Sequence, residues 1–176
     1  MTSDVLLRDV MKEDLPIFFE QQLDPAANYM AAFTAKDPTD RDAFAAHWAR
    51  ILDDEGITKK TILFEGRVAG HVLGFEQFGK PSVAYWLGRE YWGKGVATQA
   101  LSMLLNFVTM RPLYARAAKD NVASIRVLEK CSFTISGEDR GYANARGAEI
   151  GEFILVLVGT KPPFWYNANN HKEVIS

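Results

Sequence analysis

The sequence has one cysteine, Cys131, and three histidines among 176 residues. A lone thiol cannot staple a fold, so a reducing compartment is expected and burial must hold the chain together. His47, His71 and His171 show no metal-ligand spacing, so no metal is expected. Long apolar runs are also missing. The longest aliphatic stretch, Phe153 to Val158, falls far short of the roughly 20 residues that span a bilayer. The N-terminus is charged from Asp4 onward and has no apolar stretch of the signal-peptide kind. A soluble, cytoplasmic protein without a membrane partner is the expectation. Charge of one sign is not in excess either: 20 basic residues face 22 acidic ones, for a net charge of −2. That balance speaks against a life on nucleic acid. Repeats, low-complexity blocks and linkers are absent. One domain over residues 1–160 is expected, followed by a tail over residues 161–176. The tail's Phe164-Trp165-Tyr166 suits packing on its own domain as well as a dimer contact, so both monomer and homodimer stay open.

What is present is an ordinary globular mix, 48% hydrophobic and 24% charged. Val5-Leu6-Leu7-Arg8 reads as a first strand. Asp14 is placed to cap a helix with Leu15, Phe18, Phe19 and Leu23 on one face. Pro25 is expected to stop it, leaving a loose, partly helical stretch to Pro38. Thr39 and Asp42 resemble a capping box ahead of a helix with Phe44, Trp48, Ile51 and Leu52 inward. Strands over Thr58–Glu65 and Val68–Gln77 meet at Glu65-Gly66-Arg67, and Ser82–Gly88 follows. A helix with Ala97, Leu101, Leu104, Leu105 and Val108 on one face comes next, then a strand at Leu113–Ala118. A helix from Asn121 turns Ile125, Leu128 and Cys131 inward. Strands near Phe133–Asp139 and Ile150–Val158 close the core, the last apolar on both faces as a central strand is. This order predicts a mixed α/β fold with helices on both faces of one sheet.

The segment from Tyr85 to Thr98 carries the most chemistry. A strand feeds Trp92-Gly93-Lys94-Gly95, whose glycines expose backbone N–H groups, and the turn opens a helix whose first amides lack intrahelical partners. Such a turn cradles phosphate, with Thr98 and Lys94 as added donors. It is not a P-loop, because Lys94 lies between the glycines. A dinucleotide fingerprint needs glycine where Thr98 stands and an acidic residue after the next strand, so a nicotinamide-dependent oxidoreductase is disfavoured. A plain strand-to-helix turn is the bland alternative. One strand later comes Asp120-Asn121-Val122-Ala123-Ser124-Ile125-Arg126-Val127-Leu128-Glu129-Lys130. By type Asn121 is a helix cap whose oxygen takes the N–H of Ser124.

The two segments together resemble the GNAT superfamily of N-acetyltransferases, most closely its RimJ/RimL-like branch. Gly93-Lys94-Gly95-Val96-Ala97-Thr98 and Asn121-x-x-Ser124-x-x-Val127-Leu128-Glu129-Lys130 with Phe133 carry the likeness, which covers nearly the whole chain. It implies a single domain with a twisted, mostly antiparallel sheet of six to seven strands, helices on both faces, and a splayed central strand pair. It implies acetyl-CoA as cosubstrate, with no metal, and an amine-bearing acceptor, either a small molecule or a protein N-terminus. The pantetheine arm would run along Tyr85, Trp86 and Leu87, one of whose N–H groups would polarise the thioester carbonyl. The pyrophosphate would sit on Trp92, Gly93, Lys94, Gly95, Val96, Ala97 and Thr98. Asn121 would hold the arm, Ser124 would face the sulfur as proton donor, and Arg126 and Lys130 would reach the 3′-phosphate.

The expected chemistry is direct attack of an amine on the thioester. Deprotonating an alkylammonium at pH 7 takes roughly 4 kcal/mol, which a base, a water relay or a low-pKa amine must supply. Glu76 is the first candidate base and His71 the second, each with an ordinary structural alternative; His47 reads as a helix-surface residue. Two departures from the family stand out. Leu128 occupies the place of a tyrosine acid, and Ser132 that of a glycine. Cys131 lacks the partners of a nucleophile and reads as packing. The acceptor pocket is expected from Asn28–Asp37 and Gly141–Gly147, with Tyr29, Met30, Phe33, Tyr142, Asn144 and Arg146. A non-catalytic acyl-CoA-binding module or sensor is the rival reading.

Overall fold

The computed structural model describes residues 4–159. Strand β1 (Val5–Asp9) leads to α1 (Leu15–Gln22), α2 (Pro25–Ala31) and α3 (Arg41–Asp53). The meander β2 (Thr58–Phe64), β3 (Arg67–Gln77), β4 (Lys80–Leu87) follows. Then come α4 (Val96–Leu104), β5 (Leu113–Ala118), α5 (Val122–Lys130), β6 (Thr134–Ala143) and β7 (Ala148–Leu157). The seven strands form one sheet in the order β1-β2-β3-β4-β5-β7-β6. Every neighbouring pair is antiparallel except β4 and β5. The last strand thus lies inside the sheet, between β5 and β6, which is why it is apolar on both faces.

Turn chemistry sets the registers. At Glu65-Gly66 and at Phe78-Gly79 both turn residues have positive φ, the backbone that matches the twist of a two-residue hairpin. One face of the sheet packs on α4 and α5 through Ile62, Val72, Leu101, Leu104, Leu113, Phe133 and Leu155, all buried. The other face packs on α1 and α3 through Phe18, Trp48 and Ile51. No helix among the described residues is long and apolar enough to cross a membrane.

The first helix ends at Gln22, ahead of Pro25, and the stretch to Pro38 is partly helical as expected: Pro25 occupies the first turn of α2, where its missing N–H is no loss, and Asp24 caps that helix by accepting from the Ala26 N–H at 3.1 Å. Two local expectations need correction. The cap of α3 is Asp40, which accepts from the Ala43 N–H at 3.0 Å, while the Thr39 hydroxyl donates to Asp37. Asp14 precedes α1 but caps nothing there. It is 2% exposed and accepts from both Arg8 Nη atoms (2.7 and 2.8 Å), the Met11 N–H (2.9 Å) and the Thr61 hydroxyl (2.7 Å). Burial pushes its carboxyl up, and these four donors outweigh burial and hold it at about 2. A residue read as a local cap is a buried tie between β1, β2 and the start of α1. The tail beyond residue 159, with Phe164-Trp165-Tyr166 and His171, lies outside the described residues.

Candidate active site

Strands β4 and β5 run parallel but share a single register pair, Ser82 with Tyr114. Beyond it they diverge, and the gap opens into a cavity of about 640 Å3. On its other edge β4 is fully paired with β3, from Gln77–Lys80 to Gly70–Leu87. A strand presents successive N–H and C=O groups to alternate edges, so half of the backbone groups over Val83–Leu87 face the gap without a strand partner. An extended chain laid in the cavity would find the edge of a sheet waiting for it.

The glycine turn forms a second wall. Gly93 and Gly95 have φ of 73° and 74°, a region that side-chain-bearing residues avoid. A Cβ at Gly93 would meet nothing within 4 Å, so the requirement there is conformational and not steric. Gly95 stands at the N-cap of α4 and offers no side chain to its first amides. By contrast α2, α3 and α5 start under Asp24, Asp40 and Asn121. The N-terminus of α4 therefore meets the cavity with uncapped donors and the positive end of its dipole.

Helix α5 supplies the third wall. Asn121 Oδ1 accepts from the Ser124 N–H at 3.3 Å, the capping bond its type predicts, and both residues line the cavity. The Tyr85 hydroxyl lies 3.3 Å from Ser124 Oγ. Burial pushes that phenol up, and the bond to Ser124 pulls it partly back.

Of the sequence-derived site residues, the structure brings to one cavity Tyr85, Trp86, Leu87, Trp92, Gly93, Gly95, Val96, Ala97, Thr98, Asn121, Ser124, Arg126 and Lys130. Lys94 does not line it; its Nζ lies 5.8 Å from the centre of the Phe64 ring. Glu76 is also elsewhere. It is exposed and sits opposite Pro81, whereas the cavity-lining Trp86 sits opposite His71. At about 3.3 Å per residue that separates Glu76 from the level of Trp86 by roughly 16 Å along the strand. The His71 ring packs on Phe18 and Trp48, with ring centres 4.8 Å away in each case. Its Nδ1 is buried without a hydrogen-bond partner, and burial, helped by His47, takes it down to about 3. It is a half-buried ring packed on Phe18 and Trp48, neutral at pH 7. His47 is exposed on α3, lowered by partial burial and by Arg50. Cys131 is buried, with its thiol 3.6 Å from the Thr98 carbonyl. Among the described residues the charged members of the cavity wall are Arg116, Arg126 and Lys130. Among the described residues no group of His, Cys, Asp and Glu is placed to hold a metal ion.

The two segments expected to build the acceptor side do meet. Asn144 Nδ2 donates to the Thr34 carbonyl at 2.7 Å, and the Ala145 N–H to the Ala32 carbonyl at 3.1 Å. Arg146 donates to both Asp120 carboxylate oxygens at 2.8 and 2.9 Å, donates through Nε to the Tyr29 carbonyl at 2.6 Å, and stacks 3.9 Å over the Tyr29 ring. Met30 lines the cavity, while Tyr29, Phe33 and Tyr142 are exposed and do not line it. Three features escaped the sequence. Ala27, outside the expected Asn28–Asp37 segment, joins Met30 and Ala31 in one helical face on the cavity. Arg116 lines the wall while its Nη1 holds Glu152 at 2.5 Å and Asp139 at 3.0 Å. The pairing of Tyr85 with Ser124 spans 39 residues and has no local signature.

Comparison with known proteins agrees with this geometry. A sequence model of the acetyltransferase (GNAT) domain matches residues 4–134. The chain is 30% identical over 168 residues to an uncharacterised N-acetyltransferase, p20, of Bacillus licheniformis, covering 89% of this chain and 94% of that protein. The fold is shared with RimJ of Mycobacterium smegmatis in complex with CoA-disulfide: TM-score 0.77, 19% identity, 90% of this chain and 84% of that one. It is shared as well with the ribosomal α-N-protein acetyltransferase RimL in complex with coenzyme A: TM-score 0.75, 18% identity, 89% of this chain and 95% of that one.

Proposed function

We propose that this chain, which belongs to the GNAT acetyltransferase family, moves an acetyl group from acetyl-CoA to a primary amine by direct attack on the thioester. One observation carries the reading: an unpaired strand edge and an uncapped helix N-terminus open into the same cavity. The first suits an amide-rich arm such as pantetheine, the second a pyrophosphate. Acetyl-CoA carries both, in that order.

The residues take the following roles. Backbone amides over Trp92–Thr98 receive the pyrophosphate. The β4 edge at Tyr85–Leu87 pairs with the pantetheine arm, and one of its N–H groups stabilises the oxygen that gains charge as the amine adds. Asn121, its Oδ1 engaged as a cap, holds the arm through its amide nitrogen. Ser124 donates to the sulfur. Arg126 and Lys130, both exposed on α5, serve the 3′-phosphate. Residues 1–160 form the acting domain.

Among the described residues the wall brings no carboxylate and no imidazole into the cavity. No step is therefore assigned to Glu76, His71 or His47. The acceptor arrives as a free amine or loses its proton to water. An α-amino group, with an ordinary pKa near 8, is freed at pH 7 for about 1.4 kcal/mol, against about 4.6 for a lysine-like amine. The reading favours α-amino acceptors, in keeping with the shared fold of RimJ and RimL.

The test is thiol release from acetyl-CoA with a panel of peptides, amino acids and alkylamines. Turnover that rises with pH along each acceptor's own titration supports the reading. Tight acetyl-CoA binding with no thiol release for any amine would make the protein a binding module or sensor instead.

A further inference from the structure

The side chains of β4 divide between the two faces of the sheet. Trp86 turns toward α1, where its Nε1 donates to the Gln21 carbonyl at 3.2 Å. Tyr85 turns the other way and packs against the core under α4 and α5. Its ring is long enough to carry the hydroxyl across that core to the first turn of α5, where it meets Ser124. The meeting point is on the cavity wall, which both residues line.

Ser124 is also tied through its backbone: its N–H donates to Asn121 Oδ1 at 3.3 Å, which pins the start of α5. A serine hydroxyl has one proton and two lone pairs. A phenol is a far stronger acid than an alkyl alcohol, so between these two oxygens the tyrosine donates and the serine accepts. That occupies one of the staggered positions about Ser124 Oγ and leaves the serine's own proton for the cavity.

We propose that Tyr85 is a positioning residue for acetyl transfer, its hydroxyl orienting that of Ser124 so that the serine proton points at the thioester sulfur. The inference rests on the reading of the cavity as an acetyl-CoA site. In the step it serves, the amine lone pair forms the C–N bond, the C–S bond breaks, and its electron pair goes to sulfur. The nitrogen loses one proton and the sulfur gains one by way of solvent. Ser124 donates a hydrogen bond to the sulfur as charge builds there. Tyr85 keeps its proton throughout, as the upward push of burial on its phenol requires. The 3.3 Å separation is longer than usual for two hydroxyls.

The experiment is a double-mutant cycle on the full chain with Tyr85→Phe and Ser124→Ala. It reads kcat and KM for an accepted amine and the acetyl-CoA dissociation constant by calorimetry. A neutral hydrogen bond corresponds to a kcat loss of about threefold to tenfold for Tyr85→Phe, with acetyl-CoA affinity kept within about twofold. In the Ser124→Ala background Tyr85→Phe should lower kcat no further. Wild-type kcat in Tyr85→Phe overturns the proposal, and so does the same fold loss in both backgrounds. If Tyr85→Phe fails to fold, fluorotyrosine at position 85 keeps the shape but ionises at lower pH and then cannot donate. It should add an alkaline fall in kcat that Ser124→Ala abolishes, and no added limb overturns the proposal. Wild-type protein that acetylates no amine would remove the reading of function and this inference with it; wild-type turnover that Tyr85→Phe leaves intact removes this inference alone.

Discussion

Replacing Asp14 with Asn tests the least local feature of the fold. The carboxylate is almost fully enclosed and takes four hydrogen bonds from β1, β2 and the loop between β1 and α1. Its folded-state pKa of about 2 lies below the ordinary 3.8. That difference corresponds to about 2.5 kcal/mol of stability at neutral pH, at 1.36 kcal/mol per pH unit. The sign follows from the direction: the folded state prefers the charged form, so the contribution is complete above about pH 4 and fades as pH falls toward 2. Asn keeps the shape but loses the charge that Arg8 faces. Urea unfolding at pH 7 should show Asp14→Asn less stable by about 2 to 3 kcal/mol, with an unchanged slope against urea. The gap between wild type and variant should narrow at pH 3. A loss below about 0.5 kcal/mol at pH 7, or a gap that does not depend on pH, would refute the account of Asp14 as a charged, buried tie.

Two further outcomes follow from the same structure. His71 is neutral against Phe18 and Trp48, its pKa lowered from 6.5 to about 3, so the unfolded chain binds a proton between those values that the folded chain refuses. Stability should therefore fall as pH drops from 6.5 toward 3, and His71→Leu should flatten that fall in unfolding curves taken at pH 7, 5.5 and 4. Truncating both Arg126 and Lys130 to Ala should weaken acetyl-CoA about fivefold, in line with exposed charge pairs, while leaving 3′-dephospho-acetyl-CoA unaffected in parallel titrations. An equal loss for both ligands would place these cations away from the 3′-phosphate.

The cavity was legible in the sequence where a residue type has a single backbone meaning. Gly93 and Gly95 are glycines because the turn holds both at positive φ, and Asn121 caps α5 as its type predicts. Strand alternation and helix faces followed from burial, which is a repeating local signal. The errors arose where a residue's partner is distant. Asp14 reads as a helix cap by type, and only the arrival of Thr61 from β2 shows otherwise. Glu76 and His71 share a strand with the cavity's neighbours, but register and facing put one near the far hairpin and the other under Trp48. Lys94 lies between two glycines of the turn, yet its side chain leaves the turn for the Phe64 ring.

The central claim is that the gap between β4 and β5 and the bare N-terminus of α4 together hold acetyl-CoA. Calorimetric titration of the purified protein with acetyl-CoA, beside CoA, ATP and NADPH, tests it most directly. The account predicts micromolar binding of acetyl-CoA and CoA, with ATP and NADPH far weaker because neither carries an arm for the β4 edge. Equal binding of ATP and acetyl-CoA, or no binding of acetyl-CoA at all, would contradict it.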